Sequence, residues 1–202
     1  MNNFYLNEPH LHPSELIARL LSQSSNNILS TSFSLYSPVL LKLVVDLAPS
    51  TPIVWVDTGY NTSETYQFAD KISAMLNLNL NVYHPKRSVA HRRALDQEPG
   101  PDSEDYDSFV EEVKLEPFRR ALHDFNPKCW ITGIRKEESQ FRESLNIISS
   151  GPNEIVKFAP LFHWTEYELN KYMSAHGLPT LSDYFDPTKT EPLRECGLHC
   201  RL

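Results

Sequence analysis

The run Arg194-Glu195-Cys196-Gly197-Leu198-His199 sets one cysteine between a guanidinium and an imidazole. Cationic neighbours lower a thiol's pKa, and the thiolate is the nucleophilic form. Cys196 is therefore the candidate nucleophile, with Arg194 and His199 as the groups that would activate it. Cys200 follows closely, but together with His199 it offers too few ligands for a zinc site. It could resolve a modified Cys196 or be an incidental exposed thiol.

A nucleophile needs an electrophile held still, and three further segments could hold an anionic one. In Gly133-Ile134-Arg135-Lys136-Glu137-Glu138-Ser139-Gln140-Phe141-Arg142, the guanidinium groups of Arg135 and Arg142 can grip phosphate or sulfate in bidentate fashion. The same cations could instead be neutralised by Glu137, Glu138 and Glu143 as an ordinary solvated helix face. Ser30-Thr31-Ser32-Phe33-Ser34 offers small hydroxyls at a strand-to-helix turn, where backbone N–H groups and the helix dipole favour an anion. Serines at turns also commonly just satisfy the backbone. In Val56-Asp57-Thr58-Gly59-Tyr60, Asp57 could orient a ribose or simply cap a helix, and Gly59 permits close approach or positive φ.

The chain as a whole narrows the ligand. Its 202 residues carry 19 Lys+Arg against 26 Asp+Glu, a net charge of −7, so a general grip on nucleic acid is excluded and any phosphate-rich ligand must be held by local arginines. Three cysteines, Cys129, Cys196 and Cys200, cannot build a disulfide framework or a four-cysteine iron–sulfur cluster. No apolar run is long enough for a bilayer, and the opening MNNFYLNEPHLHP has neither a basic region nor an apolar stretch of signal type, so a cytoplasmic protein without a membrane partner is expected.

Periodicity supplies the elements that must position these groups. Helices are expected over Ser14–Gln23, Tyr36–Leu47, from a cap at Thr62 or Ser63 through Leu76, over Phe118–Phe125 and over Thr165–His176. Strands are expected at Ile28–Ser30, Ile53–Val56, Leu78–Tyr83, Cys129–Thr132 and Ile155–Ala159. Between Pro85 and Glu112 charge, Pro and Gly dominate, which reads as a mobile excursion; Lys86-Arg87 and Arg92-Arg93 would be a solvated helix face or a dock for an acidic partner. Alternating strands and helices imply an α/β fold with a mostly parallel sheet sandwiched by helices. In such sheets ligands sit beyond the carboxyl ends of strands where the chain reverses direction, so the loops after Leu29, Val56 and Thr132 should converge. A single domain over residues 1–202 is expected, with a mobile tail from about 177 to 202 carrying the reactive cysteine.

Five segments in this order resemble the phosphoadenosine phosphosulfate (PAPS) reductases, the cluster-free branch of the sulfonucleotide reductases. They are STSFS at 30–34, VDTGYNTSET at 56–65, GIRKEESQFR at 133–142, FAPLFHW at 158–164 and RECGLH at 194–199. The resemblance implies an adenine-nucleotide α-hydrolase-like sandwich. It implies that Ser30, Ser32 and Ser34 face the phosphosulfate, that Asp57, Thr58 and Gly59 border the adenosine, and that Gly133, Arg135 and Arg142 hold phosphates. Cys196 would be the nucleophile, with Arg194 and His199 beside the substrate.

The reaction so implied is reduction of 3′-phosphoadenylyl sulfate to sulfite and adenosine 3′,5′-bisphosphate through an S-sulfocysteine. Thioredoxin or glutaredoxin would be the electron donor, no cofactor would be bound, and a homodimer is common among such reductases. Cluster-bearing relatives that act on adenosine phosphosulfate carry Cys-Cys and Cys-x-x-Cys pairs, which are absent from this sequence. Three alternatives stand beside it: adenosine phosphosulfate as the substrate, an ATP pyrophosphatase or nucleotidyl transferase on the same fold, and a non-catalytic nucleotide binder. STSFS lacks the glycines and aspartate of a pyrophosphate loop, which disfavours the second. The third draws on the shortness of the stretch Asp186–Pro192 that stands where the family has a longer substrate-enclosing segment.

Overall fold

The computed structural model describes residues 8–96, 98–100, 102–188 and 198. Its centre is a six-stranded sheet built from β1 (Asn27–Thr31), β2 (Ile53–Val56), β3 (Leu80–Tyr83), β4 (Cys129–Ile131), β5 (Ile148–Ser150) and β6 (Val156–Phe158). The spatial order is β3-β2-β1-β4-β6-β5, parallel throughout except for β5 against β6. The chain runs outward from β1 to β3, then returns to the other side of β1 with β4. The reversal between β1 and β4 is the place where an open parallel sheet leaves a crevice at its carboxyl edge.

The strands are apolar on both faces because both faces are covered. Along β1, Leu29 packs with α1 (Pro13–Gln23), α2 (Ser37–Leu47), α3 (Ser63–Leu76) and α8 (Glu166–Ala175), whereas Ile28 faces α5 (Tyr106–Val110) and α6 (Glu116–Phe125). The period of two repeats in β4, where Cys129 and Ile131 join the first cluster and Trp130 the second. Helix starts follow their local chemistry: Thr62 accepts from the Thr65 amide at 3.1 Å, and Thr165 caps α8 with Glu168 returning the bond. No helix among the described residues is long and apolar enough to cross a membrane.

Two expectations are corrected. The stretch between Pro85 and Glu112 is not a free excursion. It forms α4 (Val89–Leu95) and α5, and a π-helical turn over Glu111–Leu115 joins α5 to α6. Tyr106, Phe109, Val110 and Val113 recur at helical spacing and are all buried, so the apolar stripe was there, diluted by the acidic residues between. Arg92 is likewise no part of a solvated face. Its side chain is 2% exposed, paired with Glu112 at 3.0 Å and bonded to the Tyr60 hydroxyl at 3.1 Å. The antiparallel edge strand β5 is too short for periodicity to predict.

Candidate active site

A cavity of about 900 Å³ opens at the carboxyl edge of β1, β2 and β4. Ser30 is the penultimate residue of β1, and after Thr31 the chain turns through Ser32, Phe33 and Ser34 into α2. Phe33 makes this turn possible at a cost, because it adopts a left-handed backbone (φ 50°) that bulky residues avoid. Its ring is fully buried edge-on to Trp55 at 5.0 Å, and that packing holds the strained backbone in place. Ser34 Oγ lies 3.2 Å from Ser37 Oγ at the start of α2. Ser30, Ser32 and Ser34 all line the cavity.

The second wall comes from the end of β2. Thr58 lines the cavity, but Asp57 and Gly59 do not. Asp57 Oδ1 accepts from the Gly59 amide at 2.9 Å, Asn61 Nδ2 at 2.8 Å and the Tyr66 hydroxyl at 2.8 Å. Burial, reinforced by that carboxylate, pushes the Tyr66 hydroxyl up to about 12. The aspartate thus ties the turn to α3, and Asn61 is the group it presents towards the cavity. Gly59 has φ +81°, and a Cβ there would stand 2.7 Å from Val89 Cγ2, so the turn itself requires glycine.

The third wall follows β4 and includes the one-turn helix α7 (Gln140–Glu143). Gly133, Arg135 and Arg142 line the cavity, as do Glu137 and Glu138. Arg135 pairs with Glu137, and its guanidinium lies 5.4 Å from the Tyr36 ring; Arg142 pairs with Glu138. Glu138 also accepts from the Arg135 backbone amide at 3.1 Å, which closes the turn between the two arginines. The arginines are 5% and 6% exposed on the wall and paired with their own glutamates, so this stretch is not a solvated helix face. Two cations and two carboxylates sum to zero, so this group supplies orientation more than net attraction.

The profile of the phosphoadenosine phosphosulfate reductase domain matches residues 26–186 of this chain. The chain belongs to the PAPS reductase family. Among curated relatives, the PAPS reductase of Vibrio campbellii is 36% identical over 193 residues, covering 84% of this chain and 74% of its own. That of Synechocystis sp. is also 36% identical, over 154 residues that cover 75% of this chain and 61% of the relative. Among solved structures, a Candida auris PAPS reductase in complex with phosphate superposes with a TM-score of 0.74 at 24% identity, covering 85% of this chain and 83% of that one. A Candida glabrata FMN adenylyltransferase superposes at 0.60 with 18% identity, covering 80% and 52%, so the sandwich is shared beyond the reductases.

One residue of this PAPS reductase-family cavity, Lys114, carries no flag in the sequence. Lys114, in the π-helical turn, and Asp186 meet on the wall, and Lys114 Nζ also bonds Thr188 Oγ1 at 2.9 Å. The usable signal was a lysine between Val113 and Leu115, inside a buried stripe. Leu198 lines the cavity too and packs into the cluster formed by α5, α6 and Trp130. Cys196, Arg194, His199 and Cys200 lie outside the described residues. Cys129 is buried in β4, and burial pushes its thiol up to about 12, which leaves it inert as a nucleophile at neutral pH.

Proposed function

We propose that this protein reduces 3′-phosphoadenylyl sulfate to sulfite, with Cys196 as nucleophile and a thioredoxin- or glutaredoxin-type dithiol as electron donor. The observation that carries the reading is Leu198. It belongs to the Arg194–His199 stretch, its side chain lines the cavity, and it stands two positions after Cys196. Two residues of chain span at most about 7 Å. In this reading that tether delivers the thiol to an electrophile seated among Ser30, Ser32, Ser34, Arg135 and Arg142.

The Cys196 thiolate attacks the sulfonate sulfur, an S–S bond forms, the S–O bond to the phosphate breaks, and adenosine 3′,5′-bisphosphate departs with the electron pair. Arg135 and Arg142 stabilise the negative charge on the departing phosphate oxygen. One thiolate of the dithiol then attacks Cys196 Sγ and releases sulfite. Its second thiol resolves the mixed disulfide, so two electrons pass from dithiol to sulfur. In this reading Thr58 and Asn61 border the nucleoside, with Asp57 and Gly59 shaping the turn that holds them.

The test is sulfite release from 3′-phosphoadenylyl sulfate with reduced thioredoxin, alongside mass spectrometry of the protein mixed with substrate alone. Sulfite and an SO₃ adduct on Cys196 are expected, and Cys196→Ser should bind nucleotide without turnover. No sulfite and no adduct would refute the reading. Faster turnover of adenosine phosphosulfate would move the substrate assignment, and pyrophosphate release from ATP would favour the adenylyltransferase-like alternative on the shared fold.

A further inference from the structure

Trp130 lies in β4 with no exposed surface, its ring 4.6 Å from Phe118 and 5.0 Å from Lys157 Nζ. An indole N–H is a donor only and is costly to bury without an acceptor. The acceptor is Ser30 Oγ, 2.7 Å from Trp130 Nε1, at the point where β1 opens into the cavity. Because the indole nitrogen has no lone pair to offer, the direction of this bond is fixed: Trp130 donates and Ser30 accepts. The Ser30 proton is then left for another acceptor, and a hydroxyl that already accepts one bond donates the next more strongly. Ser34 differs, since either oxygen of its contact with Ser37 can be the donor.

We propose that Trp130 is a positioning residue that turns Ser30 into a one-way donor aimed at an anionic oxygen of the bound sulfonucleotide. This rests on the reading that the cavity holds such a nucleotide. It assigns a polarity to one member of the hydroxyl loop, and it explains why a tryptophan rather than another large apolar residue fills β4 beneath that loop. A phenylalanine would fill much of the space but leave the Ser30 proton unoriented.

The experiment is a calorimetric titration of 3′-phosphoadenylyl sulfate into the Cys196→Ser protein, which lacks the nucleophile, and into the same protein carrying Trp130→Phe, Ser30→Ala or both. Ser30→Ala should weaken binding on the order of ten-fold and Trp130→Phe about five-fold, while the double variant should be no weaker than Ser30→Ala alone. If Trp130→Phe costs the same factor with Ser30 absent as with it present, Trp130 acts only as core and the inference fails. Benzothienylalanine at position 130 keeps the indole shape without the N–H and guards against a folding defect. It should reproduce the loss, and full affinity with it would overturn the inference. If the parent protein binds no 3′-phosphoadenylyl sulfate, the sulfonucleotide reading falls and this inference falls with it; binding by the parent with additive variants removes the inference alone.

Discussion

Lys114 and Asp186 stand 72 residues apart in sequence and meet as an ion pair on the cavity wall, with side chains 7% and 6% exposed. Asp186 Oδ1 also accepts from the Thr188 amide at 2.9 Å and from its hydroxyl at 2.6 Å. Burial alone would raise the Asp186 carboxyl. The Lys114 ammonium and the Thr188 donors outweigh it and hold the group below the usual carboxylate range. Tyr106 adds a bond to the Pro187 carbonyl at 3.1 Å, so the chain leaving α8 is tied to the α5 side of the sheet, where Leu198 also packs.

Removing one member of this pair leaves the other charged and enclosed. Lys114→Met should lower unfolding stability by about 3–5 kcal/mol, and pairing it with Asp186→Leu should recover part of that loss. Urea unfolding of the two variants checks it; equal stability of Lys114→Met and the native chain would show the pair to be solvated.

Glu112 sets an acid limit on the fold. Hydrogen bonds from Arg87 lower its carboxyl most, burial opposes them, and Arg92 adds to the lowering, bringing the group from 4.5 to about 2. A carboxyl whose folded pKa is depressed stabilises the fold above its unfolded pKa, and that contribution is lost as pH falls towards the folded value. Glu112→Gln should therefore cost about 1–2 kcal/mol at neutral pH, after allowance for solvent screening of a side chain 27% exposed. The gap between variant and native chain should narrow below about pH 4.5 and close near 2. Unfolding measured from neutral pH downward reads this, and a gap independent of pH would contradict it.

At Gly59 the cost is steric and conformational. Gly59→Ala combines positive φ with a Cβ 2.7 Å from Val89 Cγ2, and a loss of about 2 kcal/mol is expected. Adding Val89→Ala should relieve only the steric share. Thermal unfolding of the single and double variants separates the two contributions.

The Arg142–Glu138 pair predicts opposite signs for its two members. Arg142→Ala should weaken nucleotide binding by about 1.5–3 kcal/mol, the range for a hydrogen bond to a charged group. Glu138→Gln keeps an oxygen for the Arg135 amide while removing the charge that competes with phosphate, so affinity for adenosine 3′,5′-bisphosphate should rise and depend more steeply on salt. Titration at two salt concentrations decides it, and weaker binding by Glu138→Gln would assign the carboxylate a purely orienting role.

Buried Cys129 should resist iodoacetamide at pH 8 in the folded state and react only on unfolding, given a thiol raised to about 12. Peptide mass spectrometry reports which cysteines are labelled.

Where residues next to one another in the chain decide the outcome, the sequence was readable. Thr62 and Thr165 cap the helices that follow them, the apolar runs at β1, β2 and β4 became central strands, and the loops after them do converge. Failure came where a local average hid a face. The acids beside Tyr106, Phe109, Val110 and Val113 mask their stripe in sequence, and Arg92 is enclosed although a guanidinium usually stays in water.

The sequence by itself determined the α/β alternation, the hydroxyl turn, the arginine stretch and the cysteine near the carboxyl end, because these depend on residue type and near-neighbour spacing. Only the tertiary structure decided that Ser30 accepts from Trp130, that Lys114 closes on Asp186, and that Asp57 spends its carboxylate on its own turn and on Tyr66 of α3. Each of those outcomes joins groups brought together by sheet order and helix packing, or fixes which face of a turn a side chain takes. A one-dimensional pattern carries periodicity, but not which distant donor meets which acceptor once water has been excluded.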